Sequence, residues 1–148
     1  MARVKLDLPV SFPFSTELTV RIGEINYGRH LANDSFLGLL HEARIRFLKQ
    51  HGLSEEDVGG VSMIMTDAVI VYENQAFHGD HLRIDVAVAG AGKCACDFYF
   101  RVTDTNDGEE IGRAKTGIAF YDYRKKKICR MPECFKELLA PVPEGEAA

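Results

Sequence analysis

Eleven residues from Glu24 to Asp34 bring two carboxylates, two amides, an imidazole and a glycine into one short stretch: Glu24-Ile25-Asn26-Tyr27-Gly28-Arg29-His30-Leu31-Ala32-Asn33-Asp34. The stretch runs straight into an amphipathic segment, so its groups lie at a helix N-terminus. Unpaired N–H groups and a partial positive charge of about half an elementary unit are available there. Such an end holds a carbonyl oxygen and stabilises the oxyanion that forms when the carbonyl is attacked. His30 suits proton transfer near neutrality, its ordinary pKa being about 6.5. The plain structural alternative is an Asn/Gly loop that turns a corner and caps a helix, and residue types alone do not separate the two.

Other groups are weaker candidates. Glu24 is a second carboxylate of the loop, and Asp67 stands inside an otherwise apolar run, where it must find a partner or lie at an interface. Arg124, Lys125, Lys126, Lys127 and Arg130 fall within seven residues that hold no acid. Cys94 and Cys96 are separated by one residue, where structural zinc sites prefer two to four. With Cys129 and Cys134 they read as reduced structural thiols, and no metal site is expected. The glycines never fall in the spacing of a dinucleotide or mononucleotide phosphate loop.

The elements that position these groups follow from periodicity. Phe36, Leu40, Ala43 and Phe47 recur at helical spacing, with Leu37, Leu39, Ile45 and Leu48 widening the stripe. Asn33 or Asp34 is the expected cap of this helix, and Gly52 stands where a left-handed C-terminal residue is wanted. Gly38 inside it costs up to about 1 kcal/mol relative to Ala, so either a backbone or ligand approaches there or the packing tolerates it. Leu18, Val20 and Ile22 alternate with polar residues, as do Ile84, Val86 and Val88, and Phe98, Phe100 and Val102; Met63 to Tyr72 is apolar and β-branched. Further strands are expected from about Ile111 to Tyr121 and around Ile128. Turn residues separate them at 78–80, 90–92, 105–108 and 123–127. The order is strand, long helix, then a run of strands, an antiparallel meander with one helix packed on it.

Length and composition bound the rest. At 148 residues, 46% hydrophobic and 27% charged, the chain suits one folded domain, expected over 1–140 with a loose tail at 141–148. A net charge of -4 disfavours a nucleic-acid partner. No apolar run is long enough to cross a bilayer and the N-terminus alternates charged and apolar residues, so a cytoplasmic location is expected.

The segment His30-Leu31-Ala32-Asn33, followed by Phe36-Leu-Gly-Leu-Leu-His-Glu42-Ala43-Arg44, resembles the loop and helix of hotdog-fold acyl-CoA thioesterases of the 4-hydroxybenzoyl-CoA thioesterase-like branch. In that branch the loop reads Asp-x-x-Gly-His-Val-Asn-Asn and the helix carries Glu-x-Ala-Arg or Glu-Ala-Arg. Tyr72, Ala76 and Gly79-Asp80-His81-Leu82 are similar to the family's next stretch, and the pattern continues through Ala114-Lys-Thr116 to Lys127-Ile-Cys-Arg-Met-Pro132. The likeness spans about residues 16–133. It implies an α+β hotdog fold, one long central helix wrapped by an antiparallel sheet of five or six strands. It also implies hydrolysis of an acyl-CoA thioester, with coenzyme A as part of the substrate and no cofactor. Exposed sheet edges, which hotdog proteins join between subunits, imply a homodimer or homotetramer with sites at the subunit boundary.

The chain departs from the pattern where the chemistry sits. Four residues before His30, the family's catalytic Asp is replaced by Asn26, the Gly before the His is Arg29, and the first Asn of the pair is Ala32. An amide is neither a nucleophile nor a general base, but Asn26 can donate a hydrogen bond to a thioester carbonyl. The base is then Glu42, since other branches carry a carboxylate on this helix, or His30; for Glu42 the alternative is an ion pair with Arg46 or Arg44. Backbone N–H groups around Leu31 and Asn33 are the expected oxyanion donors. Lys93, Lys125, Lys126 and Lys127 are the cations expected to meet the phosphates of coenzyme A, unless the turn is merely solvated. Two rivals remain: an acyl-thioester hydratase or dehydratase pairing His30 with Glu42, and a non-catalytic acyl-thioester binding or sensing module.

Overall fold

The structure, a computed structural model, describes residues 3–139; the tail expected at 141–148 lies outside them. In chain order it has β1 (Phe14–Thr19), a 3₁₀ turn (Ile22–Glu24), α1 (Asn33–Gln50), β2 (Ser62–Tyr72), β3 (His81–Ala89), β4 (Ala95–Asp104), β5 (Glu110–Asp122), β6 (Lys127–Ile128) and α2 (Glu133–Lys136). The strands form one six-stranded antiparallel sheet in the order β1-β3-β4-β5-β2, with β6 also on β5. One long helix packed on this sheet is the α+β hotdog arrangement that the resemblance implies.

Alternation along the strands sends one face to the helix. Cys96, Phe98, Phe100 and Val102 of β4, Leu82, Ile84, Val86 and Val88 of β3, and Ala114, Thr116, Ile118 and Phe120 of β5 are buried, as a period of two demands. Phe36, Leu40, Ala43 and Phe47 of α1 close on them, each nearly or fully buried. Phe47 stands perpendicular to Phe98 at 5.8 Å and edge-on to Phe14 at 5.7 Å. Burying such a side chain contributes roughly 1.5–3 kcal/mol. Gly112 sets how close α1 can come, because a β-carbon there would stand 2.8 Å from the Val71 carbonyl oxygen and 2.9 Å from Phe36 Cζ.

The two ends of α1 are built differently. At the C-terminus Gly52 adopts φ +71°, its N–H reaching Lys49 O at 3.0 Å and the Leu53 N–H reaching Leu48 O at 2.9 Å, a Schellman closure. At the N-terminus the expected cap is corrected: the capping position is Ala32, with no side-chain bond, and Asn33 is already the first helical residue. The loop is secured by its backbone instead, Ala32 N–H donating to Glu24 O at 2.9 Å and Leu31 N–H to Ala76 O at 2.7 Å. Asp34 Oδ1 accepts only from the adjacent Ser35 N–H, at 3.0 Å. Ile22 is also corrected, since the first strand ends at Thr19 and Ile22 lies 70% exposed in the 3₁₀ turn.

The opposite face of the sheet is charged. Lys115 Nζ lies 2.9 Å from Asp67 Oδ1 and 3.7 Å from Asp97 Oδ1, which supplies the partner that Asp67 requires, and Asp85 is held between Arg83 and Arg101. All four cysteines are free thiols. Among the described residues no cluster of His, Cys, Asp and Glu has metal-binding geometry, and no helix is long and apolar enough to cross a membrane.

Candidate active site

The loop before α1 folds on itself between Ile25 and Leu31, which form a β-bridge. Asn26 N–H donates to His30 O at 3.1 Å and Arg29 N–H to Asn26 O at 3.0 Å. The Asn26 side chain completes the turn, its Oδ1 accepting from Gly28 N–H at 3.0 Å. That bond identifies the amide Nδ2 as the end left to donate elsewhere. Arg29 holds φ +66°, a left-handed conformation that costs a residue with a β-carbon about 1–2 kcal/mol. The family places Gly at this position, and the backbone shows why.

His30 and Asn26 converge on Gly28. A β-carbon on Gly28 would lie 3.0 Å from His30 Nε2 and 3.2 Å from Asn26 Oδ1, so the imidazole and the amide flank the same point. His30 Nδ1 is 3.2 Å from Leu31 O, and because a carbonyl only accepts, Nδ1 carries the hydrogen in the neutral ring. Nε2 is therefore left with its lone pair free.

Both side chains line a cavity of about 310 Å³ at the N-terminus of α1. Leu31, Ala32, Phe36, Ala76, Ile111 and the ring of Tyr72 make its apolar wall, and Asn26, His30, Asn33, Glu73, Asn74 and Gln75 its polar part. Tyr72 donates its hydroxyl to Asn33 O at 2.8 Å and stands edge-on to Phe36 at 5.4 Å. Burial, with the Asp34 charge behind it, raises the Tyr72 pKa, so the hydroxyl stays a donor. Residues 73–75 were not anticipated as site residues; the only sequence signal for them is that Tyr72 and Ala76 bracket them.

The remaining candidates separate. Leu31 N–H is already engaged by Ala76 O, whereas the N–H groups of Asn33 and Asp34 have no partner among the described residues, leaving the first turn of α1 as the free donor set. Glu42 is not brought to the His30 cavity within one chain. It lines a different cleft, of about 350 Å³, between α1 and β1, together with Glu24, Gly38 and Arg46. There Arg46 lies 3.6 Å from Glu42 and donates to Thr16 Oγ1 at 2.8 Å and Glu17 O at 2.9 Å. Gly38 faces this cleft, with no atom within 4 Å of where a β-carbon would stand. Glu24 accepts from Arg21 N–H at 2.7 Å. Lys125, Lys126 and Lys127 follow the far end of β5, whose near end supplies Ile111 to the cavity. Eleven strand residues make that separation about 35 Å. Lys93 belongs to the far end too, its carbonyl accepting from Met131 N–H at 2.9 Å.

Known proteins share this construction. The structure superposes on Slr0204, a 1,4-dihydroxy-2-naphthoyl-CoA thioesterase from Synechocystis, with a TM-score of 0.78 at 19% identity over 85% of this chain and 94% of that one. BH1999, a gentisyl-coenzyme A thioesterase, gives 0.75 at 12% identity over 86% and 100%, and the PA2801 protein from Pseudomonas aeruginosa gives 0.80 at 14% over 88% and 100%. At these identities the likeness is one of fold. No curated protein matches the sequence. The sequence profile of the thioesterase-like superfamily, however, matches residues 20–139, taking in the His30 loop, the whole of α1 and every strand after it. By that match the chain is a member of the thioesterase-like superfamily.

Proposed function

We propose that the protein hydrolyses an acyl-CoA thioester in the cavity at the N-terminus of α1. The observation that carries this reading is that Asn26 and the His30 imidazole, whose Nδ1 is held by Leu31 O so that Nε2 keeps a free lone pair, line one cavity at that helix end. Water is the nucleophile. As its oxygen bonds to the thioester carbon, His30 Nε2 takes its proton, and the carbonyl oxygen gains charge beside Asn26 Nδ2 and the free N–H groups of Asn33 and Asp34. Collapse of the tetrahedral intermediate breaks the C–S bond, releasing the acid and the thiolate of coenzyme A. The Asp of the family pattern is not needed when an imidazole whose tautomer is fixed supplies the base. Glu42 stands outside this mechanism, occupied by Arg46 in another cleft.

Coenzyme A as the thiol is supported by membership of the superfamily and by two structural neighbours that are CoA thioesterases. The basic residues 124–127 and Lys93 reach the cavity only from a second copy joined along β2, because antiparallel pairing of that edge with itself sets the far end of one sheet beside the near end of the other. A homodimer is accordingly part of the proposal.

The amide at position 26 favours one second reading, a module that binds acyl thioesters without cleaving them. Steady-state assays with a panel of acyl-CoAs, following free thiol, separate the two. Turnover supports hydrolysis; absence of turnover above background with aliphatic and aromatic esters alike sinks it, and tight binding in that case establishes the module.

A further inference from the structure

Three arginines at the cavity and the neighbouring cleft are neutralised by carboxylates. Arg3 faces Glu73 at 3.8 Å, Arg21 faces Glu24 at 3.8 Å and Arg46 faces Glu42 at 3.6 Å. Arg29, in the loop between them, is exposed, and its side chain has no partner among the described residues. It is a cation of the same chain left free beside the cavity, whereas the lysines 125–127 lie about 35 Å away along β5.

Arg29 stands on the tip of a small hairpin. Ile25 and Leu31 form its bridge, and Asn26 N–H closes it on His30 O at 3.1 Å. Tyr27, Gly28 and Arg29 make a three-residue tip whose last position is left-handed, the place where such loops use glycine. Arg29 holds φ +66° there in spite of its β-carbon. Strain of this kind clusters at ligand clamps, where the side chain has a use. Two residues away Tyr27 is 102% exposed, so its whole ring stands in water. Gly28 puts no side chain between the two, and the bond from its N–H to Asn26 Oδ1 at 3.0 Å fixes the tip, so ring and guanidinium are presented by a preorganised backbone. Asn26 and His30, which bracket the tip, both line the cavity, and the tip therefore stands at its rim.

An exposed aromatic ring beside an unpaired guanidinium suits an adenine nucleotide. Bases stack on aromatic faces, and phosphates take charge-assisted, bidentate bonds from arginine. We propose that the tip is the subsite for the nucleotide end of coenzyme A, with Tyr27 stacking on the adenine and Arg29 bonding a phosphate, while the pantetheine arm bends back into the cavity. The choice of ligand rests on the hydrolytic reading above.

Paired substrates test this. Each acyl group is offered as its CoA ester and as its N-acetylcysteamine ester, which carries no nucleotide. Arg29→Gly and Tyr27→Ala are each expected to raise KM for the CoA ester by about tenfold, with kcat little moved and the loss confined to the CoA ester. Arg29→Lys, which keeps the charge, recovers part of it. An unchanged KM for the CoA ester overturns the subsite, and so does an equal loss on both esters, because the tip then acts on the thioester itself. A loss that follows a carboxylate on the acyl group, present with succinyl and absent with butyryl esters, assigns Arg29 to the acyl end and overturns it too. Calorimetry with coenzyme A itself separates this proposal from hydrolysis. Wild-type protein that binds coenzyme A about tenfold more tightly than Arg29→Gly, yet cleaves no ester, keeps the nucleotide subsite and overturns hydrolysis; equal affinity overturns the subsite whatever the turnover.

Discussion

His30 Nδ1 lies 3.2 Å from the carbonyl oxygen of Leu31, the next residue in the chain, and this contact fixes which imidazole nitrogen can act as a base. Leu31 is itself anchored, its N–H donating to Ala76 O at 2.7 Å, so the ring is oriented through a backbone already tied to the segment after β2. The free nitrogen, Nε2, is the atom that a β-carbon on Gly28 would meet first. Removing it is expected to lower kcat by roughly 10²–10⁴-fold. His30→Gln tests this in the free-thiol assay, with the melting temperature checked in parallel; a kcat within tenfold of wild type removes His30 from the role of base. Glu42→Gln, by contrast, breaks only a half-exposed pair with Arg46, and turnover is expected to stay within about threefold.

Gly28 has a separate test. A methyl group there presses on His30 Nε2 at 3.0 Å and on Asn26 Oδ1 at 3.2 Å, so Gly28→Ala displaces both groups by a few tenths of an ångström. Small misplacements of reacting groups are costly. A fall in kcat on the order of tenfold with an almost unchanged melting temperature is expected, and unchanged turnover would show that the two side chains do not share a reacting point.

Much of the fold was legible because burial imposes a period. The stripe Phe36, Leu40, Ala43 and Phe47 and the alternation in β3 and β4 each bury one face of their element, and Gly52 ends α1 where its conformational freedom is needed. What the sequence hid is set by longer-range contacts. Asn33 looks like a cap, but backbone bonds from Leu31 to Ala76 and from Ala32 to Glu24 fix the start of α1 one residue earlier. Glu42 lies on the helix that follows the His30 loop, yet the turn of the helix points it toward β1. Residues 73–75 carry no motif and join the cavity only because β2 pairs with β5.

Arg29 stores strain in the same loop. Its φ of +66° suits glycine, the residue of the family pattern at that position. Arg29→Gly relieves the left-handed penalty but adds freedom to the unfolded chain, so a net gain of about 0.5–1 kcal/mol is expected. The melting temperature should rise by on the order of 3 °C. A lowered melting temperature would mean that the arginine side chain contributes more than its backbone costs.

Lys115 links two carboxylates whose pKa values move in opposite directions. Its hydrogen bond to Asp67, helped by Gly117 N–H, holds the Asp67 carboxyl below its ordinary 3.8, whereas burial pushes Asp97 up. A group depressed on folding contributes stability above its unfolded pKa and loses it as pH falls through the lower folded value. Asp67 therefore adds stability at pH 5–7 that disappears as the pH drops below about 3.8. Asp97 acts with the opposite sign: the folded state holds its proton more tightly, so its contribution falls as pH rises through the region above 3.8. Asn at position 67 still accepts from Gly117 N–H but cannot pair with Lys115. The gap in urea midpoint between wild type and Asp67→Asn should accordingly be open at pH 6 and narrow steadily toward pH 3. A gap of equal size at both pH values would mean that the substitution acts through the β2 edge itself and not through the charge.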